Sequence, residues 1–217
     1  AFLTLLLTLV TFCSAAESSY YPTEYKTIFE NKSAQDDELK SKLFTLLSSM
    51  HMYKSGKDDV ISNHCTGEGK CYDHKSIGYR GARKVLFGKL ALRTEENGSY
   101  FIKDVYCGKK ITRKESNIGP NIIPKNSVMN CEHTWPQSRF NSSFPKDLQK
   151  SDLHHLYPTD SRANSIRGNY EFAEVSGGDI TDCEGAHFGV EQTSPRDYFE
   201  PPMEHRGNVA RALFYFS

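Results

Sequence analysis

Apolar positions recur at helical spacing in three parts of the chain. Leu39, Leu43, Leu46, Leu47 and Met50 follow the acids Asp36 and Asp37. That is the pattern of an amphipathic helix with an acidic first turn, and Ser33 stands where an N-cap is expected. The stretch YRGARKVLFGKL (79–90) is a second helical pattern, with Arg80, Arg83 and Lys84 on its outer side, and GNVARALFYFS (207–217) begins a third, apolar one. Between them, SYFIKDVYCG (99–108) mixes aromatic and β-branched residues with polar ones and stops at Gly108, which predicts a strand. Residues 119–129 carry Pro120 and Pro124 and read as loop. A short extended piece up to Leu156 then runs into Tyr157-Pro158. Thr159 or Asp160 can cap a following helix, and Gly168 can end it. With no internal repeat and no linker, the pattern predicts a single α+β domain.

The opening stretch AFLTLLLTLVTFCSAA (1–16) is uncharged and apolar, and it ends in small residues. It matches the apolar core of a secretion signal and is shorter than a membrane span, so residues 1–16 are expected to be a signal peptide cut near Ala15 or Ala16, clipped at its start. The mature part, 17–217, then carries Cys65, Cys71, Cys107, Cys131 and Cys183. Export to an oxidising compartment, extracellular or periplasmic, makes two disulfides and one odd cysteine the simplest expectation. A missing C-terminal tail could hold the partner of the odd one. Metal binding by Cys65 and Cys71 near His64 and His74 is the alternative, against which stands a spacing unlike that of zinc sites. Sequons stand at Asn31, Asn97 and Asn141.

The formal charge is zero, with 27 basic and 27 acidic residues, but its distribution is uneven. From Lys70 to Lys114, twelve Lys/Arg stand against four Asp/Glu, and from Glu171 to Glu204 one Arg stands against nine acids. The basic segment suits a polyanion, and it equally suits solvated helix faces that the acidic segment neutralises.

The stretch NCEHTWPQSRF (130–140) concentrates the chemistry. A carboxylate, Glu132, lies directly beside an imidazole, His133. Neighbours in a strand point to opposite faces, so if both serve one site the backbone is expected to turn there, before Trp135-Pro136. Downstream, Asn164 and Arg167 lie three apart on the predicted helix and share a face. Strand, strand, helix, carrying a carboxylate, an imidazole, an amide and a guanidinium, is a specific arrangement.

These stretches resemble the endonuclease I family of exported, sequence-nonspecific nucleases with a ββα-metal (His-Me finger) active site. The resemblance runs through CEHTWPQSRF, SDLHHLYPTDSRANSIRGNY, FEPP and RGNVARALFY, and more loosely through YRGARKVLFG and DVYCG. It implies that His133 is the general base, that Glu132 and Asn164 hold one divalent cation, and that Arg167 braces the phosphate. The residue types agree with those roles. A carboxylate and an amide carbonyl are hard ligands suited to Mg²⁺, with Mn²⁺ or Ca²⁺ as alternatives. A neutral imidazole with a pKa of about 6.5 can take a proton from water. His154 fits the family's Asp-x-His pattern as a participant or as a packing or supporting residue, with Asp152 orienting a neighbour, and Trp135 is core or site wall. Arg139 is a weaker candidate for the phosphate. The implied substrate is DNA, and RNA beside it, cut to 5′-phosphate products, with no membrane and no obligate protein partner involved.

Two rivals belong to other classes. A zinc hydrolase would use several of the eight histidines, but the chain has no H-E-x-x-H. A non-catalytic, disulfide-stabilised secreted binding module would keep its main activity without His133.

Overall fold

The computed structural model describes residues 21–52, 58–62, 64, 71–72, 75–191 and 194–217. The expected signal peptide lies outside the described residues, as do Cys65 and His74 of the alternative metal set. The chain parts into two compact units, 1–74 and 75–217. Both mix helix and strand, as the α+β reading expects.

In the first unit, α1 (Thr23–Asn31) and α2 (Asp36–Ser48) precede a three-stranded antiparallel sheet of β1 (Met50–Met52), β2 (Val60–Ser62) and β3 (Cys71–Tyr72), ordered β2-β1-β3. Tyr25, Ala34, Leu46 and His51 are buried, and His51 Nε2 donates to the Leu46 carbonyl at 2.9 Å. Helix α2 starts later than expected: Gln35 is its N-cap, no side chain caps it, and Ser33 lies outside it. Helix α1 was not predicted, because its residues read as a polar leader. Cys71 is disulfide-bonded.

The second unit begins with α3 (Gly78–Val85), which continues as a π-helical turn over Leu86–Leu90. Gly88 sits in that turn, where a Cβ would come 2.4 Å from the Asn121 backbone nitrogen, so the close approach of the 119–122 loop requires glycine. A meander follows: β4 (Leu92–Thr94), β5 (Tyr100–Lys103) and β6 (Lys110–Thr112), in that order. The strand predicted to reach Gly108 ends at Lys103, because Asp104 folds the next residues into a turn. Its Oδ1 accepts from the amides of Tyr106 and Cys107, and its Oδ2 from that of Lys109. Such side-chain bonding to the local backbone competes with the strand ladder.

Next come β7 (Met129–His133), α4 (Lys146–Ser151), β8 (Leu156–Asp160) and α5 (Ser161–Arg167). Strands β7 and β8 pair antiparallel, with Met129 opposite Asp160 and His133 opposite Leu156. A hairpin of β9 (His187–Val190) and β10 (Asp197–Glu200) and the helix α6 (Met203–Phe216) complete the unit.

Two buried clusters flank the β7–β8 pair. One joins Ala82, Leu86, Phe87, Ile102, Ile111 and Ile118 to Met129, Cys131 and Leu156. The other holds Tyr106, Ala163, Ile180, Ala186 and Phe199, and is crossed by the Cys107–Cys183 disulfide. The odd cysteine among the described residues is Cys131. It awaits no tail. Its thiol is part of the first cluster, where burial pushes its pKa up to about 12 and makes it an inert apolar filler.

Candidate active site

The alternation of β7 sets the site. Met129 and Cys131 point into the first cluster, and Asn130 and Glu132 point toward α5, where Asn130 Nδ2 donates to Ser161 Oγ at 3.2 Å. Glu132 and His133 are the last two residues of the strand, and the ladder continues past them, with the Thr134 amide donating to the His155 carbonyl at 3.1 Å. The pair itself keeps the strand's pleat, and the bend expected before Pro136 follows at once, at Thr134 and Trp135. Side chains on opposite faces of the strand end both reach a pocket of about 430 Å³. Gln137, Ser138, Arg167, Gly168 and Asn169 line the same pocket.

Helix α5 is positioned by local chemistry. Of the two capping residues the sequence allowed, Asp160 is the cap: its Oδ1 accepts from the amides of Arg162 and Ala163 at 2.9 and 3.0 Å. Lys109 Nζ anchors the same carboxylate through Oδ2 at 2.8 Å. Gly168, at φ +52, ends the helix. The extended piece predicted up to Leu156 is instead a 3-10 turn over Leu153–His155, and the strand starts where that piece was expected to stop.

Glu132 is 3% exposed. The Tyr106 hydroxyl donates to its Oε1 at 2.9 Å, and Arg167 Nε lies 3.1 Å from that same oxygen, at ion-pair distance without hydrogen-bond alignment. Burial raises the Glu132 pKa, against the pull of Arg167 and Tyr106. The His133 backbone amide also favours the charged carboxylate, so Glu132 is held by three neighbours.

Arg167 is fully buried. Its guanidinium donates to the Thr134 carbonyl at 2.7 Å and the Gly168 carbonyl at 2.8 Å, and lies 4.6 Å over the Phe172 ring. Two of its five N–H groups are thus bonded to the end of β7 and to Gly168, its Nε lies beside Glu132, and the side chain also lines the pocket. Arg139 is exposed and paired with Glu171 at 2.9 Å.

His133 has a defined tautomer. Its Nε2 lies 3.1 Å from the Lys150 carbonyl, which can only accept, so the proton sits on Nε2 and Nδ1 carries the lone pair. The nearest side chain to Nδ1 is the Gln137 amide, at 3.5 Å. Burial, with neighbouring His155, Lys150 and Arg167, lowers the pKa to about 4, below the ordinary value assumed from sequence. The ring is neutral at physiological pH.

The histidine beside His133 is His155, fully buried with ring centroids 5.3 Å apart, and not His154. In a 3-10 turn the strand rule of opposite faces does not govern the pair. His154 stacks on Tyr215 at 4.7 Å, and its Nδ1 lies 2.8 Å from Asp152, whose other oxygen accepts from the Tyr215 hydroxyl at 2.9 Å. Asp152 holds the His154 pKa up. Trp135 forms wall, its Nε1 donating to the Arg139 carbonyl at 2.9 Å.

Asn164 is half-buried on α5, and its side chain has no hydrogen-bond partner among the described residues. It does not line the pocket that Glu132 and His133 share; the side-chain amides that do are Gln137 and Asn169. Tyr106, Tyr79 and His155 were not picked out from sequence. Tyr106 lies within DVYCG, a stretch the resemblance touched, and that was the available signal.

Among the described residues no three His, Cys, Asp or Glu side chains gather as a metal cluster. The donors present are a carboxylate oxygen and amide carbonyls, hard ligands that fit a divalent cation completed by water and phosphate oxygens.

The family described as Endonuclease I matches residues 37–217, which is most of the chain. The chain belongs to the endonuclease I family. It is also similar to the extracellular ribonuclease of Bacillus amyloliquefaciens, 35% identical over 88 residues, which are 41% of this chain and 28% of that protein. The extracellular ribonuclease of Bacillus subtilis (strain 168) is 34% identical over 88 residues, with the same coverage. The similarity thus spans little more than a quarter of the length of these relatives. Among the described residues no helix is long and apolar enough to cross a membrane.

Proposed function

We propose that this protein is a secreted, divalent-cation-dependent endonuclease that hydrolyses phosphodiester bonds in DNA, and in RNA as well, with little sequence preference. The observation that carries the reading is the end of β7. A neutral imidazole with its lone pair on Nδ1 and a buried carboxylate line one pocket, in a chain of the endonuclease I family. The relatives named extracellular ribonucleases support export and RNA as a substrate.

Glu132 and Asn164 would hold one divalent cation, Mg²⁺ foremost and Mn²⁺ or Ca²⁺ as alternatives, and that cation supplies charge stabilisation at the phosphate and at the departing sugar oxygen. His133 Nδ1 takes the proton of the attacking water, while the Lys150 carbonyl keeps the ring oriented through Nε2. The water oxygen bonds to phosphorus as the bond to the 3′ oxygen breaks, leaving a 5′-phosphate and a 3′-oxyanion that takes a proton from solvent to become the 3′-hydroxyl. Tyr106 and Arg167 hold Glu132 in place. The basic residues from Lys70 to Lys114 contact backbone phosphates, so binding weakens with salt.

The test is plasmid degradation by the oxidised chain with Mg²⁺, with excess EDTA, and by a His133→Ala variant. The reading expects nicking and then fragmentation, stopped by EDTA and reduced by at least about 100-fold in the variant. An Asn164→Ala variant should need far more Mg²⁺ for the same rate. Full activity of His133→Ala, or no activity of the wild type with any divalent cation, overturns the reading.

A further inference from the structure

A second pocket, of about 550 Å³, adjoins the first and shares Pro136 and Arg167 with it. Its walls are aromatic: Trp135, Tyr170, Phe172 and Phe214 line it, with Arg139 among them. Tyr170 is 40% exposed and Phe214 52%, so their rings are open to a ligand. Two features hold the platform in shape. The Trp135 indole is tied to the Arg139 carbonyl and stacks on Phe216 at 6.2 Å. Tyr170 leans edge-on against Phe188 at 4.8 Å, which fixes its ring.

A phosphodiester seated at Glu132 and His133 carries a base on each flanking sugar. We infer that the aromatic pocket is a stacking subsite that takes one unpaired, unstacked nucleobase next to the scissile phosphate. This rests on the nuclease reading above and adds to it a substrate class: strands whose bases are free to leave the stack. The occupant follows from three observations. The pocket shares Pro136 and Arg167 with the phosphate site, aromatic rings line it, and the rim carries the Arg139–Glu171 pair at 2.9 Å, suited to a polar base edge. Stacking on aromatic rings tolerates any base, because every base has a π face. A base held in an intact duplex cannot enter without unpairing.

The test uses an end-labelled single strand of about 20 nucleotides, of the length such sites engage, made as DNA and as RNA, intact or with one abasic residue. Stacking is worth about 1–3 kcal/mol per base, so cutting at a linkage beside the abasic residue should fall by at least about 5-fold relative to the intact strand. Linkages far from it should be unchanged. In Tyr170→Leu and Phe214→Leu variants, which keep an apolar surface side chain, that local deficit should shrink toward twofold. Equal cutting beside and away from the abasic residue overturns the proposal, as does a deficit of the same size in both variants. Binding is read separately, by fluorescence of a strand carrying 2-aminopurine mixed with the His133→Ala protein. Quenching that Tyr170→Leu abolishes in the His133→Ala background supports stacking, and no quenching overturns it. If the wild type cuts neither strand, the nuclease reading fails by itself and the fluorescence result decides the subsite.

Discussion

Tyr106 donates its hydroxyl proton to Oε1 of Glu132 over 2.9 Å, and it does so from a turn 26 residues earlier in the chain. The turn is rigid. Asp104 bonds three of its amides, Cys107 is cross-linked to Cys183, and the Tyr106 ring packs 4.7 Å from Phe199. Glu132 is thereby held in place at the wall of the pocket.

That relationship predicts the behaviour of Tyr106→Phe. The ring still fills its place, so the fold should persist, with a loss of about 1–2 kcal/mol for the unpaired acceptor. The oriented carboxylate is lost, and supporting groups of this kind are worth about 10–100-fold in cation affinity or activity. Titrating activity with Mg²⁺, and Mn²⁺ binding by calorimetry, should both show a weaker cation. Wild-type affinity in the variant would mean that the hydroxyl has only a packing role.

Arg167 leads to a second prediction. Its guanidinium has no route to water, and it neutralises a buried carboxylate. Removing one partner of a buried pair costs about 3–5 kcal/mol, because the other charge is left alone. Arg167→Leu should show that loss in urea unfolding. The double variant Glu132→Gln/Arg167→Leu should lose less than the two single losses added together. Strict additivity would show that the two side chains do not sense each other.

Much of this site could be read from sequence, and the limits are physical. Asp160, Gly168 and the Glu132-His133 pair are local signals. A cap, a positive-φ stop and two adjacent polar side chains are written within a few residues, and the structure caps α5 with Asp160, ends it at Gly168 and sets Glu132 and His133 on one pocket. The family could be read too, as the match over 37–217 shows. Long-range choices could not. Nothing near Tyr106 says that its hydroxyl meets Glu132, and nothing in SRANSIRGN says that its second arginine is buried. Ser33 has the chemistry of a cap but is not placed to act as one. His154 and His155 are identical in type, and only the 3-10 turn decides which of them packs beside His133.

The disulfide between Cys107 and Cys183 closes a loop with a sequence separation of 76. The chain-entropy estimate for such a loop is about 4 kcal/mol, part of which strain or residual structure in the unfolded chain can offset. Replacing both cysteines with alanine should lower stability by about 2–4 kcal/mol and should also raise the Mg²⁺ needed for activity, because Cys107 adjoins Tyr106. Cys131→Ala, which only trims the core, should leave the Mg²⁺ requirement unchanged. If the double replacement lowers stability without moving the Mg²⁺ requirement, the link from cross-link to Glu132 is absent.

His205 supplies a pH prediction. Its ring is buried at the start of α6, edge-on to Tyr157 at 4.7 Å and to Tyr106 at 5.8 Å, and its Nε2 has no partner. Burial lowers its pKa to about 4, from 6.5 in the unfolded chain. Between those two values the unfolded chain binds more protons than the folded one. Stability therefore falls as pH drops from about 6.5 to 4 and levels off below that, by about 3 kcal/mol for a shift of this size. His133 and His155 are shifted to about 4 as well, so the wild-type loss exceeds the share of any one ring. His205→Phe keeps an aromatic ring in the slot and removes the proton. Urea unfolding at pH 7 and pH 4.5 should show a smaller acid loss in that variant, by about 2–3 kcal/mol. An identical acid loss in both proteins would place the proton uptake elsewhere.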